Sequence, residues 1–328
     1  MKTVIYLFIF MHSLIGLSAY QINDCHMHFV DFLQETDGIE KALEAMDKAN
    51  VNHVIIFGME LIKKWEDIEP DRPKYYLSDD ARCYWYSMTD VIVADSLLKL
   101  DKNKRQRFHP FICGIDPTDR NSIEHIKRMV RLYPNLFEGI GEIFLRHDDL
   151  TALTYGQTAT PENIALDPIC EFAKEHDMPV FIHCDISSVW RRTPSYLPEM
   201  EKLLNKHPNT KIVWCHCGIS RRIIVDNLVD IIRSLLKKHK NLFFDISWVF
   251  YDMYLVKKDK ILPDWLPLFE EFPEKFLIGS DVVGHFKNYK KIIEKYDLIL
   301  NSLSPIARKK IAEENFFHIL PSKKVVLE

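Results

Sequence analysis

Short apolar runs, most of them seven or eight residues long, alternate along this chain with longer stretches in which apolar residues recur every three or four positions. The runs are Ile22–Phe29, Asn52–Gly58, Phe108–Ile115, Phe137–Phe144, Pro179–Cys184, Lys211–Cys217, Asn241–Ser247 and Lys275–Asp281. They read as buried strands, because a strand covered on both faces has no need of polar alternation. The stretches Gly38–Asn50, Thr89–Leu100, Ser122–Tyr133, Asp167–Asp177, Tyr196–His207, Val225–Lys238, Leu262–Phe272 and Tyr289–Asn301 carry helical periodicity, and Pro305–Phe317 predicts a closing helix. Strand followed by helix, eight times over, predicts an α/β fold of the (β/α)8 TIM-barrel type, with its active site at the C-terminal ends of the strands.

Two connections are too long for simple turns. Met59–Ser87, after strand two, is rich in aromatic residues (Trp65, Tyr75, Tyr76, Tyr84, Trp85, Tyr86), and Asp148–Leu166 follows strand four. Loops of this length are functional or disordered, and aromatic content favours ordered, lid-like segments over disorder. Padding on the barrel exterior is the other reading of the aromatics.

Composition changes the picture only at the N-terminus. Of 328 residues, 47% are hydrophobic and 27% charged, which suits one large core, and no linker divides residues 20–328. Residues 1–19 have Lys2, then the apolar run Val4–Met11, then small residues at Gly16, Ser18 and Ala19. This is the pattern of a cleaved signal peptide, with a membrane anchor as the alternative, and it predicts an exported protein; without a working signal the chain would be cytoplasmic. Seven cysteines fit export poorly, and buried free thiols are the simplest reading of all of them. A net charge of -4 with interspersed signs argues against a nucleic-acid partner, and membrane contact would come only through an uncleaved N-terminus.

The candidate chemistry lies at the strand ends. His26 and His28 sit two apart on strand one and so share a face. Strand four carries Glu142, strand five His183, strand six His216 and strand eight Asp281. An ionisable group in an apolar strand is costly unless it is paired or bound to metal, and six at one end of a barrel predict a metal centre. Nitrogen and carboxylate ligands suit zinc first, with manganese or another first-row divalent ion as alternatives, one or two per chain.

The motifs DCHMH (24–28), PVFIHC (179–184), IVWCHCG (212–218) and LIGSD (277–281), with the ending IAEENFFHIL (311–320), resemble the amidohydrolase superfamily, and within it the amidohydrolase-related branch of barrel hydrolases and decarboxylases. The resemblance implies that His26 and His28 bind one metal together with Asp281. It implies that His183 and His216 bind a second, or that His183 joins a single metal while His216 polarises the substrate. Asp281 would take the proton of the attacking water. The segment Gly139-Ile140-Gly141-Glu142-Ile143 is similar to the strand-four motif of TatD-like hydrolases, whose glutamate bridges two metals. The other reading of Glu142 is a carboxylate that orients a histidine.

Arg146, Arg191 and Arg221, with His285, follow the strands and are candidates for substrate contact. One of the arginines would hold a substrate anion, unless they are solvated or pair with neighbouring aspartates. Asp245 on strand seven is either an orienting partner or an ordinary buried hydrogen-bonding group. The resulting expectation is a hydrolase of a small carboxylic ester, lactone or amide, its oligomeric state open and a homo-oligomer possible. A non-oxidative decarboxylase using one metal is the alternative. A phosphoesterase and a non-catalytic binding barrel are weaker readings.

Overall fold

The computed structural model describes residues 20–66 and 68–327. The expected signal segment, residues 1–19, lies outside them. No helix among the described residues is long and apolar enough to cross a membrane.

The strands are β1 (Ile22–His28), β2 (Val51–Phe57), β3 (Phe108–Ile112), β4 (Gly139–Phe144), β5 (Val180–His183), β6 (Ile212–Trp214), β7 (Leu242–Asp245) and β8 (Phe276–Leu277). Each is hydrogen-bonded in parallel to the next, in chain order. The segment after β8 returns to β1: Cys25 N donates to Ile278 O, Asp281 N to His26 O, and Val282–Val283 pair with Met27–His28. One segment thus bonds to β7 on one side and β1 on the other, which closes the ring.

Two strands end earlier than their apolar runs suggest. β6 stops at Trp214, and residues 215–218 turn tightly, with His216 and Cys217 in the left-handed region (φ 52 and 53). Asp281 also has positive φ (50) and lies past β8 rather than on it. In both places an unbroken hydrophobic run conceals a bend that turns a side chain over the barrel mouth. The expected helix 289–301 is broken into Tyr289–Glu294 and Asp297–Leu300, and the closing helix runs on to Ile319. The long loop after β2 holds a hairpin, Leu61–Lys63 against Cys83–Trp85, anchored by the buried ammonium of Lys63 on Tyr76 O and Asp79.

Inside the barrel an apolar floor lies beneath the mouth. Phe57, Phe111 and Phe181 meet with ring centroids 5.3–5.5 Å apart, and Phe316 and Ile319 of the last helix belong to the same cluster. The ring of His26 rests edge-on against Phe57 at 4.9 Å. This floor is rigid because its aromatic rings interlock, so it fixes the height of the layer above it. Phe181→Ala leaves a void that the ring cannot collapse around, and is expected to cost about 3–5 kcal/mol of stability. A fall in the denaturant midpoint at unchanged slope checks this.

Candidate metal centre

The pleat of β1 carries His26 and His28 to the mouth side by side, their Nε2 atoms 3.2 Å apart. Glu142 arrives from β4 through a register shift between Ile140 and Ile143, an irregularity that redirects a side chain. The residue before it must be glycine. Gly141 has φ +121, and a Cβ there would lie 2.4 Å from the carbonyl oxygen of Phe181.

Glu142 sits between two histidine pairs. Its Oε2 lies 3.3 Å from His26 Nε2 and 3.1 Å from His28 Nε2. Its Oε1 lies 3.3 Å from His183 Nδ1 and 3.4 Å from His216 Nε2. Asp281 faces both groups, with Oδ1 3.5 and 3.6 Å from His26 and His28, and Oδ2 3.9 Å from His216. All six candidates from the strand ends therefore converge on one place. His26, His28 and Glu142 form one set close enough to hold an ion, and Glu142, His183 and His216 form another.

The nitrogens turned away from this centre are tied down. His26 Nδ1 donates to Asp245 Oδ2 at 2.8 Å, and His28 Nδ1 to the carbonyl of Gly58 at 2.7 Å. His216 Nδ1 donates to Ser247 Oγ at 2.8 Å, whose own hydroxyl donates to Asp245 at 2.7 Å. Such partners fix the tautomer that turns a lone pair inward, which is what a metal ligand requires. Glu142 Oε1 and His183 Nδ1 are buried without a hydrogen-bond partner. A divalent ion would satisfy both, so the donor set fits a metal.

Electrostatics agree with that fit. Burial disfavours the His26 imidazolium, but Glu142, Asp281 and Asp245 outweigh it and raise its pKa well above normal. Burial likewise lowers His183, yet Asp185 and Glu142 bring it to about 10. Burial pushes Glu142 upward, and the imidazoles around it reverse this and hold it well below the carboxylate range. Protons thus occupy the metal-free centre near neutrality and must leave when an ion enters. The sign follows: rising pH removes the competitor, so apparent metal affinity is expected to rise by about tenfold per pH unit for each proton displaced, until pH passes the imidazole pKa. Metal titrations at several pH values, in buffers of different ionisation enthalpy, measure that release.

The seven cysteines are all unpaired and buried. Burial and nearby carboxylates push the thiol pKa of Cys25 and Cys215 well up, so both are neutral beside the centre.

Outside this layer the placements vary. Arg146 forms a two-pronged pair with Glu199 at 2.6 Å and lies over the ring of Tyr196. Arg221 pairs with Asp149, and Arg222 with Asp148. His285 bridges Asp37 and Asp31. Arg191 is exposed on the loop after β5. Arg146 and Arg221 are both engaged by carboxylates, as the pairing alternative has it for Arg221.

One group at the mouth, Trp248, carries no clear mark in the sequence. Trp248, directly after β7, packs edge-on against His216 with centroids 5.1 Å apart, and its indole donates to Tyr76 Oη at 2.6 Å. His147 stacks on His183 at 4.3 Å. The nearest signal for Trp248 is its place after Asp245-x-Ser247, at the exit of a strand whose end holds two histidines in position.

A family model described as amidohydrolase matches residues 23–315. Among solved structures, dihydroorotase from Campylobacter jejuni is similar at 17% identity and a TM-score of 0.54, over 91% of this chain and 82% of that one. An uncharacterised TIM-barrel protein from Bordetella bronchiseptica gives 16% and 0.54, over 86% and 82%. 4-Oxalomesaconate hydratase from Rhodopseudomonas palustris gives 16% and 0.51, over 91% and 95%. These likenesses are of fold. No curated protein sequence matches.

Proposed function

The chain belongs to the amidohydrolase family, and from that premise we propose that it is a metal-dependent hydrolase of a small-molecule carboxylic ester, lactone or amide. The observation that carries the reading is Glu142, one oxygen turned to His26 and His28 and the other to His183 and His216. A carboxylate so shared suits two ions, zinc first, with manganese or another first-row ion as alternatives. A divalent ion held there would lower the pKa of water toward neutrality and would polarise a carbonyl oxygen.

The protein does the rest. Asp281 stands against both histidine groups, placed to accept the proton of the attacking water and return it to the leaving oxygen or nitrogen. Its left-handed backbone and the bond from its N–H to His26 O hold it there. His216, kept in one tautomer by Ser247, turns Nε2 to the same space. Tyr76 and Trp248 close the mouth and keep bulk water out, which strengthens each of these interactions. The single-metal decarboxylase does not require a carboxylate between two histidine groups.

The test is a panel of lactones, carboxylic esters and amides offered to metal-loaded protein. Turnover of at least one class, lost on chelation and restored by added zinc or manganese, is expected. Decarboxylation of an aromatic or unsaturated acid without any hydrolysis would overturn the reading.

A further inference from the structure

The space over the metal centre is divided in two. An inner chamber of about 20 Å³ is bounded by Glu142, His183, His216 and Asp281. That is room for little more than a water molecule. An outer pocket of about 330 Å³ lies between the loops that follow β7 and β8, and also reaches Asp281. Tyr76, Trp248, Asp281 and Val283 line both spaces, and Tyr76 and Trp248, joined by a 2.6 Å hydrogen bond, make up the aromatic part of the partition.

The outer pocket has a definite chemistry. Tyr75, Trp248, Val249, Tyr251, Val282 and Ile292 supply an aromatic and aliphatic wall, with Ser280 and Asn288 as uncharged polar groups beside it. Its charged groups, apart from Asp281 at the centre, neutralise one another or their neighbours. Lys295 pairs with Asp252 at 2.8 Å, and His285 is held by Asp37 at 2.9 Å and Asp31 at 3.3 Å. Among the described residues, each cation on this wall has a carboxylate partner. Flat apolar walls with compensated charge favour a neutral ring, since a charged one would lose its water without finding a partner.

We propose that the outer pocket binds an uncharged aromatic or cyclic body of the substrate. Only the carbonyl group under attack passes the Tyr76–Trp248 partition to the metal centre. The proposal rests on the hydrolase reading and gives its substrate a shape: a compact reacting group on a neutral ring, in place of an anion held by rim arginines. The partition must open for the head group to enter, and the hydrogen bond between two loop side chains is the contact that breaks.

Hydroxamic acids test this without knowledge of the substrate, because their head group chelates divalent metals. Calorimetric titration of the zinc-loaded full chain compares acetohydroxamate, benzohydroxamate and 4-carboxybenzohydroxamate. Benzohydroxamate is expected to bind at least about tenfold more tightly than acetohydroxamate. The ring carboxylate is expected to remove most of that gain. V249W, which places an indole in the outer pocket, is expected to reduce the ratio to near one. Equal affinity of acetohydroxamate and benzohydroxamate in the unaltered protein would overturn the proposal, as would tighter binding of the carboxylated ring. If neither compound shows zinc-dependent binding, the hydrolase reading falls and takes this proposal with it.

Discussion

Asp281→Asn is expected to lower turnover by about 10³-fold while the fold persists. The amide keeps the size of the carboxylate but cannot accept a proton. The position is fixed by backbone as much as by side chain: its N–H bonds to His26 O, and its positive φ of 50 is one that Asn tolerates well. The four histidines and Glu142 keep their own partners on other strands. The loss should therefore fall on kcat, with the circular-dichroism spectrum and melting temperature close to those of the unaltered protein. Activity within tenfold of normal would remove Asp281 from the role of proton acceptor.

The second large effect is expected at Glu142. Its two oxygens serve two pairs of histidines, so Glu142→Ala should disrupt both halves of the centre together. Partners that merely orient a metal ligand change affinity by about 10- to 100-fold, and a group in the middle of the donor set should cost at least that much. Competition with a chromogenic chelator should show weaker binding of both ions. The same change removes one of the charges that raise the pKa of His26 and His183, so each should fall, with Asp281 and Asp245 still acting on His26 and Asp185 on His183. Imidazole proton resonances followed against pH would show that fall. A Glu142 that only oriented one histidine would leave the other pair's affinity unchanged.

Much of this centre was legible in the chain because its parts sit inside strands. Histidine and carboxylate in apolar runs such as Asp24–His28 or Val180–His183 stand out against buried surroundings, and barrel topology gathers the strand ends. What escaped was set by bends and by distant loops. The run Ile212-Val213-Trp214-Cys215-His216-Cys217 is apolar apart from His216, so periodicity cannot reveal that the strand stops at Trp214 and that His216 is presented from a left-handed turn. Asp245 had two open readings until its contact with His26 decided between them. The Tyr76–Trp248 pair joins residues 172 apart, on loops whose conformation local sequence does not encode. The arginines were conspicuous as cations after the strands, but the partner of Arg146 is Glu199, on a helix whose packing only the fold supplies.

We propose that one carboxylate, Glu142, serves two ions. The most direct test of this is the number of divalent ions bound per chain at saturation, measured by elemental analysis after zinc or manganese loading at pH 8 and removal of excess ion. The geometry around Glu142 predicts two per chain, with a second equivalent that titrates separately or together with the first. Saturation at one would contradict it, and would return His183 and His216 to a single-metal site or to direct contact with the substrate.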